Sequence, residues 1–531
     1  MTSAISPPVI SPGALQALLR EGGELALLDV REQGVFGRSH ILLASNLPLS
    51  HLELRIRDLV PCLATPLVLC DGGEGLALRA AARLAALGYG DLRVLEGGVE
   101  AWRAAGLELF SGINVPSKAF GEVVEHRFDT PNISAEDLKA KLDAGEELVI
   151  LDSRPLDEYR AMNIPGGIDT PGAELVYRVR DLAPDPETLV VVNCAGRTRS
   201  IIGAQSLINA GLPNPVVALR NGTMGWHLAG LELERGAERR YGPVSGAARS
   251  WARSAAAQVG ARFGVKWIDA EDLRAWQAEA ESRTLYLLDV RDPEEYAAGH
   301  LPGALSAPGG QLIQSTDRWI AVRAARIVLI DDSAVRATMT ASWLNQMGFP
   351  GVAVLAEGLE GWALETGPGG TEVPAPAVET LPPQALQPLP EGWHMVDLDS
   401  SLAYRDGHIP GASWAIRARL DEAEAALIGW EKLVFTSADG RLARFAAADL
   451  GEWPAPSAAA LEGGTAAWTA AGLPLARGME LVLHTDEDVY HRPYDRDSGV
   501  ETAMQAYLDW EVALTEQIER DGTLRFPEFR A

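Results

Sequence analysis

The chain has 531 residues, too many for a single hydrophobic core, and a prior of about 100 to 200 residues per domain implies three to five units. With 47% apolar residues, mean hydropathy near zero, no uncharged apolar run of about 18 residues and no basic-then-apolar leader, membrane insertion and classical secretion are both unsupported. A formal net charge of −27 and an isoelectric point near 4.8 argue against a nucleic-acid partner, because phosphate contacts need a basic face.

Taken in order, the chain reads as one unit written four times. Each of the first three copies opens on a helix with its own start signal. Ser11 precedes Pro12, Ser134 is followed three residues later by Asp137, and Asp269 by Asp272. An apolar strand ending in aspartate follows in every copy, as "LALLDVRE", "LVILDSRP", "LYLLDVRD" and "WHMVDLDS", placing Asp29, Asp152, Asp289 and Asp397 at equivalent points. Seven residues on comes an aromatic (Phe36, Tyr159, Tyr296, Tyr404), and eleven on comes His40, Asn163, His300 or His408. A second strand-to-loop junction falls 42 residues after the aspartate in three copies and 40 in the fourth, on Asp71, Cys194, Asp331 and Ser437. A Gly-x-x-x-Trp signature closes each unit at Trp102, Trp226, Trp362 and Trp468. Short strands alternating with helices imply small α/β domains with mostly parallel central sheets.

In the second copy, "LVVVNCAGRTRSIIGAQSLINAG" predicts a strand over Leu189 to Asn193, a loop from Cys194 to Arg199, and an amphipathic helix from about Ser200 that ends before Gly211. A thiol at the carboxyl end of a strand lies where such sheets bind ligands. The first helical turn offers unpartnered N–H groups and a partial positive charge, and Arg197 and Arg199 add two full charges. All of this favours a thiolate and an anion site around Cys194. The alternative is a small buried core residue, the commoner fate of a lone cysteine. Cys70 falls one residue early, on the strand with its side chain to the other face, and Cys62 reads as packing. Three cysteines in all are too few for a disulfide scaffold and fit a reducing cytoplasm.

The spacings place units at 1–112, 113–236, 263–373 and 374–479. A connecting helix is expected over 237–262, a Pro- and Gly-rich linker before the fourth unit, and an ordinary ordered connection between units one and two, with Lys118 a candidate to face the anion site. A tail, 480–531, contains "VETAMQAYLDWEVALTEQIERDG", an amphipathic helix that would dock on a neighbouring unit or across a homodimer.

The "LDSR" strand, the aspartate-to-aromatic spacing, the histidine-type Ile-Pro-Gly motif, the loop "CAGRTRS" and the Gly-x-x-x-Trp ending resemble the rhodanese family of sulfurtransferases, in its bacterial four-domain tandem form. The resemblance covers about nine-tenths of the chain. It implies a central parallel sheet wrapped by helices and a double displacement in which the loop cysteine takes sulfane sulfur from a donor and hands it to a thiophilic acceptor. Asp71, Asp331 and Ser437 stand at the cysteine position of the other units, which are thus expected to be inactive. Asn163 replaces a histidine that is usually structural in the family.

The expectation is thiosulfate sulfurtransfer, with no metal or cofactor. Cys194 attacks the outer sulfur of thiosulfate; Arg197 and Arg199 bind the sulfonate; loop N–H groups from Ala195 and Gly196 to Ser200 hold the persulfide, with Thr198 and Ser200 adding hydroxyl donors. Asp152 and Arg154 brace the loop, and by resemblance Glu158 pairs with an arginine. Arg178 and Arg180 either line the entrance or form a solvated basic face. The acceptor is cyanide or a thiol. Mercaptopyruvate as donor and a largely non-catalytic scaffold or sulfur carrier are the alternatives. A phosphatase would need arginine six residues after the cysteine, and Arg199 comes five after.

Overall fold

The computed structural model describes residues 7–450 and 456–529. It contains four five-stranded parallel sheets with one strand order, in which the strand before the variable Asp/Cys/Asp/Ser position is central. In the second sheet the order is Asn132–Ile133, Val216–Leu219, Leu189–Asn193, Leu148–Asp152, Ile168–Asp169. The expected start signals are present: Ser11 and Ser134 accept backbone N–H groups, and Asp269 with Asp272 forms a capping box.

Five elements position the site. They are α1 (Val115–Phe128), β1 (Leu148–Asp152), β2 (Leu189–Asn193), α2 (Thr198–Asn209) and α3 (Val500–Asp521). β2 is apolar on both faces because both are covered: Val190 and Val192 join one core cluster, and Val191 joins another with Ile150 and Trp226. The helix α2 begins two residues earlier than the sequence implied, so Thr198, Arg199 and Ser200 form its first turn.

The units are packed into one body. A core cluster runs through units one and three, where Tyr286 donates to the Leu59 carbonyl at 2.7 Å. Arg417 of unit four pairs with Glu53 of unit one at 2.6 Å. The helix Gly246–Arg262 lies between units two and three, against Val335–Gln346 and Glu174–Leu182. The tail helix α3 runs along α1 and over the loop after β2.

The repeated histidines are structural. His40, His300 and His408 each stack on the aromatic four residues earlier, with ring centroids 3.8 to 3.9 Å apart. Asn163 keeps the backbone pairing of that position, bridging to Glu234 as His40 does to Phe110.

Candidate active site

The loop after β2 is fixed from its carbonyl side. The Cys194 carbonyl accepts the Thr223 N–H at 2.8 Å and the Ala195 carbonyl accepts the Met224 N–H at 3.0 Å. That close approach explains the glycine of the Gly-x-x-x-Trp motif. A Cβ at Gly222, whose φ is +53°, would sit 2.2 Å from the Cys194 oxygen. Gly98, Gly358 and Gly464 make the same approach to Asp71, Asp331 and Ser437.

With its carbonyls tied down, the loop turns its N–H groups toward the side chain at its start. In unit one the Asp71 carboxylate accepts from Gly73, Gly75 and Ala77 at 2.9 to 3.0 Å. In unit three Asp331 accepts from the Ser333 hydroxyl and from the N–H groups of Ala334, Arg336 and Ala337. Around Cys194, by contrast, the N–H groups of residues 195–200 have no acceptor among the described residues. Among the described residues the thiol hydrogen-bonds only to the Ser200 hydroxyl, at 3.5 Å, and that hydroxyl in turn donates to the Arg197 carbonyl at 2.8 Å. Cys194 is 2% exposed.

Both loop arginines, expected to bind a sulfonate, are paired with carboxylates, Arg199 with the Glu158 that the resemblance implied and Arg197 with partners it did not. Arg197 chelates Glu122 through two bonds of 2.7 Å and also pairs with Glu125, both from α1, and it reaches Asn221 at 3.3 Å. Arg199 chelates Glu158 at 2.7 and 3.0 Å and donates to Gln311 of unit three at 2.9 Å. A buried guanidinium needs a partner, and the sequence offered no way to see that α1 supplies one. Burial pushes Glu158 up, but Arg199, with Arg492 and Arg154 beyond it, holds it down to about 2. Burial likewise works against the charge on Arg199, and Glu158 together with the Cys194 sulfur more than offsets it.

Asp152 and Arg154, expected to brace the loop, pair with each other. Arg154, 1% exposed, chelates Asp152 at 2.7 and 2.9 Å and donates to the Met162 carbonyl at 2.5 Å, while Asn193 donates to Asp152 at 3.1 Å. Arg178 is no part of the site: it pairs with Glu174 and lies 3.8 Å over the Tyr241 ring. Cys70 is wholly buried, and burial drives its thiol well above the ordinary range. The Cys62 sulfur donates to the Glu281 carbonyl at 3.4 Å.

The tail forms a roof over the loop. Met504 and Leu508 of α3 pack with Ala195 and Met224. Glu511 accepts from Lys118 at 2.7 Å and from the Thr198 hydroxyl at 3.4 Å. The charged shell is therefore balanced, with Arg197, Arg199, Lys118 and Arg492 set against Glu122, Glu125, Glu158 and Glu511. Glu122, Glu125, Gln311 and Glu511 are the partners that sequence reasoning missed, and nothing local to them points to this loop. Among the described residues no cluster of His, Cys, Asp and Glu could hold a metal, and no helix is long and apolar enough to cross a membrane.

Repeated α/β units, each with a loop of backbone N–H groups at the carboxyl end of its central parallel strand and one of them headed by Cys194, define the class of the protein. The Rhodanese-like domain family matches residues 11–105, 134–229 and 269–365, and the chain belongs to that family. The fourth unit, outside those matches, has the same strand order. A solved structure of a thiosulfate sulfurtransferase from Pseudomonas aeruginosa is 51% identical, with a TM-score of 0.93 over 98% of this chain and 100% of that one. Two curated relatives match more locally. An HTH-type transcriptional regulator of Mycobacterium tuberculosis is 34% identical over 21% of this chain and 47% of its own length. A candidate sulfur carrier protein of Bacillus subtilis, YrkF, is 32% identical over 19% of this chain and 54% of its own. The chain thus spans about half the length of the curated relatives it matches.

Proposed function

We propose that the protein is a sulfurtransferase that carries sulfane sulfur from thiosulfate to a cyanide or thiol acceptor on Cys194. The observation that carries this reading is the contrast between loops. Where Asp71 and Asp331 stand, a carboxylate takes up the converging donors, and only around Cys194 are the N–H groups of residues 195–200 without an acceptor of their own. An anionic outer sulfur on Cys194 supplies that acceptor.

The Cys194 thiolate attacks the outer sulfur of thiosulfate, the S–S bond breaks, and sulfite leaves with the bonding pair. The terminal sulfur of the persulfide then carries the negative charge toward the amides of Ala195 to Ser200. Arg197, tied to Glu122 and Glu125, holds the loop in shape; Arg199, tied to Glu158 and beside the sulfur, stabilises the anion. Thr198 and Ser200 contribute first-turn amides, their hydroxyls being given to Glu511 and the Arg197 carbonyl, and Asp152 with Arg154 keeps β1 and β2 in register.

The balanced charge of the shell favours one second reading, mercaptopyruvate as donor, because a neutral pocket gives a doubly charged sulfonate less advantage than free arginines would. Incubation with thiosulfate should add one sulfur atom to Cys194 by mass spectrometry and none to Cys194→Ser. No gain on the folded chain would return the protein to a scaffold role, and faster turnover with mercaptopyruvate would change the donor.

A further inference from the structure

The tail brings one more charged group to this loop than a roof requires. Glu511 is fully buried. Three donors crowd onto its Oε1: the Lys118 ammonium at 2.7 Å, the Tyr507 hydroxyl at 3.2 Å and the Thr198 hydroxyl at 3.4 Å. Its Oε2 has no partner among the described residues, and it lies against Gly196, 3.2 Å from where a Cβ would be. A buried carboxylate oxygen left bare is an expensive arrangement, and here it sits two residues from the nucleophile. Glycine at 196 is what makes room for it. Burial, followed by the neighbouring Glu511 charge, pushes the Tyr507 hydroxyl well above its ordinary range, so Tyr507 remains a donor to Oε1.

Tyr507 also forms part of the wall of a cavity of about 580 Å³ between the tail and unit one, together with Tyr490, Trp510, Gly112 and Arg496. The same Tyr507 lies 3.5 Å from where a Cβ at Gly196 would be and is hydrogen-bonded to Glu511, so it touches the cavity, the active loop and the carboxylate.

We propose that Glu511, carried to the site by the C-terminal helix, is the base that takes the proton of a thiol acceptor as its sulfur attacks the Cys194 persulfide. The inference rests on the persulfide reading above. In this step the acceptor S–H bond breaks and its proton goes to the Glu511 carboxylate. A bond forms between the acceptor sulfur and the outer persulfide sulfur, and the Cys194–sulfur bond breaks with its electron pair returning to Sγ. The acceptor leaves as a persulfide anion and the thiolate is regenerated, with no outside oxidant or reductant. Lys118, Tyr507, Tyr490, Arg197 and Glu122 are the titratable and charged groups that face Glu511. Acceptors that attack as anions, such as cyanide and sulfite, need no such base.

The test uses the full chain, loaded with sulfur by thiosulfate and freed of excess donor, with single-turnover loss of the extra sulfur followed by mass spectrometry. General bases contribute about 10²- to 10⁴-fold. Glu511→Gln should slow sulfur transfer to dithiothreitol about 100-fold and flatten its pH profile, while cyanide removes the sulfur within about threefold of the wild-type rate. Glu511→Asp should recover part of the thiol rate. Equal losses with both acceptors, or an unchanged thiol rate, would overturn the proposal. Loading of Glu511→Gln by thiosulfate reports that its loop is folded, and a variant that cannot be loaded marks Glu511 as structural and counts against it. A wild-type chain that gains no sulfur overturns the sulfurtransfer reading itself, and this inference with it.

Discussion

Units two and three face each other with the same loop and opposite contents. In unit three the Asp331 carboxylate accepts four hydrogen bonds from its own loop, and Arg336, five residues on, is wholly buried among Glu174, Glu295 and Asp332. In unit two a thiol stands at the first position. Arg199, five residues on, has one carboxylate, Glu158, and a neutral amide, Gln311. Two β-strand-to-helix turns of one chain thus gather donors around a built-in carboxylate, and the third leaves the N–H groups of residues 195–200 without an acceptor among the described residues. Chemistry depends on whether that anion is built in or delivered.

The strongest way to break the comparison is to give unit two the contents of unit three. Cys194→Asp should abolish sulfur transfer and persulfide formation, with no loss of thermal stability, because the new carboxylate meets the donors of residues 195–200. A fall in the melting midpoint would show that the two cradles are not equivalent. The converse, Asp331→Ala, leaves four donors without their charged acceptor. At about 1.5–3 kcal/mol per hydrogen bond to a charge, offset by water, a net loss of about 3 kcal/mol is expected from urea unfolding, with activity retained.

A smaller effect separates unit four from the rest. Units one to three place an arginine two residues after the strand-end aspartate (Arg31, Arg154, Arg291), whereas unit four has Asp399. Burial, with the Asp399 charge adding to it against the Asp399 N–H bond, pushes Asp397 up to about 7. A carboxyl that holds its proton more tightly when folded stabilises the fold at low pH. That stability is lost as pH rises from about 4 through 7. Asp397→Asn should remove the decline and raise stability at pH 8 by about 2 kcal/mol, after discounting the full shift for relaxation, with little effect at pH 4. An unchanged pH profile would mean that water already solvates Asp397.

Much of this was legible in the sequence. The aspartate, aromatic, histidine and tryptophan spacings revealed four α/β units with mostly parallel sheets, because residues that touch within a unit hold fixed separations along the chain. The Cys194 loop was legible for the same reason, since strand, loop and helix are contiguous. What could not be read is what meets the loop from far away. Glu122 and Glu125 lie on a helix whose face gives no hint that Arg197 is its partner, and Glu511 is 313 residues from Thr198. A Glu158 pairing with an arginine was implied by resemblance, whereas the partners of Arg197 were not, because Glu122 and Glu125 belong to a helix outside the contiguous strand, loop and helix.

The finest distinction between units two and three is one atom type. Glu174 and Gln311 lie 22 residues after Asp152 and Asp289, and each reaches across the interface to the other unit's loop arginine, Glu174 to Arg336 at 2.7 Å and Gln311 to Arg199 at 2.9 Å. The carboxylate adds to the neutralisation of Arg336; the amide satisfies one N–H of Arg199 and leaves Glu158 as its carboxylate partner among the described residues. Gln311→Glu would copy the unit three arrangement onto unit two without touching the loop. A second carboxylate on Arg199 draws its charge away from the developing anion, so kcat/KM for thiosulfate should fall about tenfold, roughly 1.4 kcal/mol. Gln311→Leu, which removes the hydrogen bond but adds no charge, should cost less, about threefold. If the two substitutions cost the same, the role of Gln311 is to hold Arg199 in place, and the field of that guanidinium at Cys194 does not set the rate.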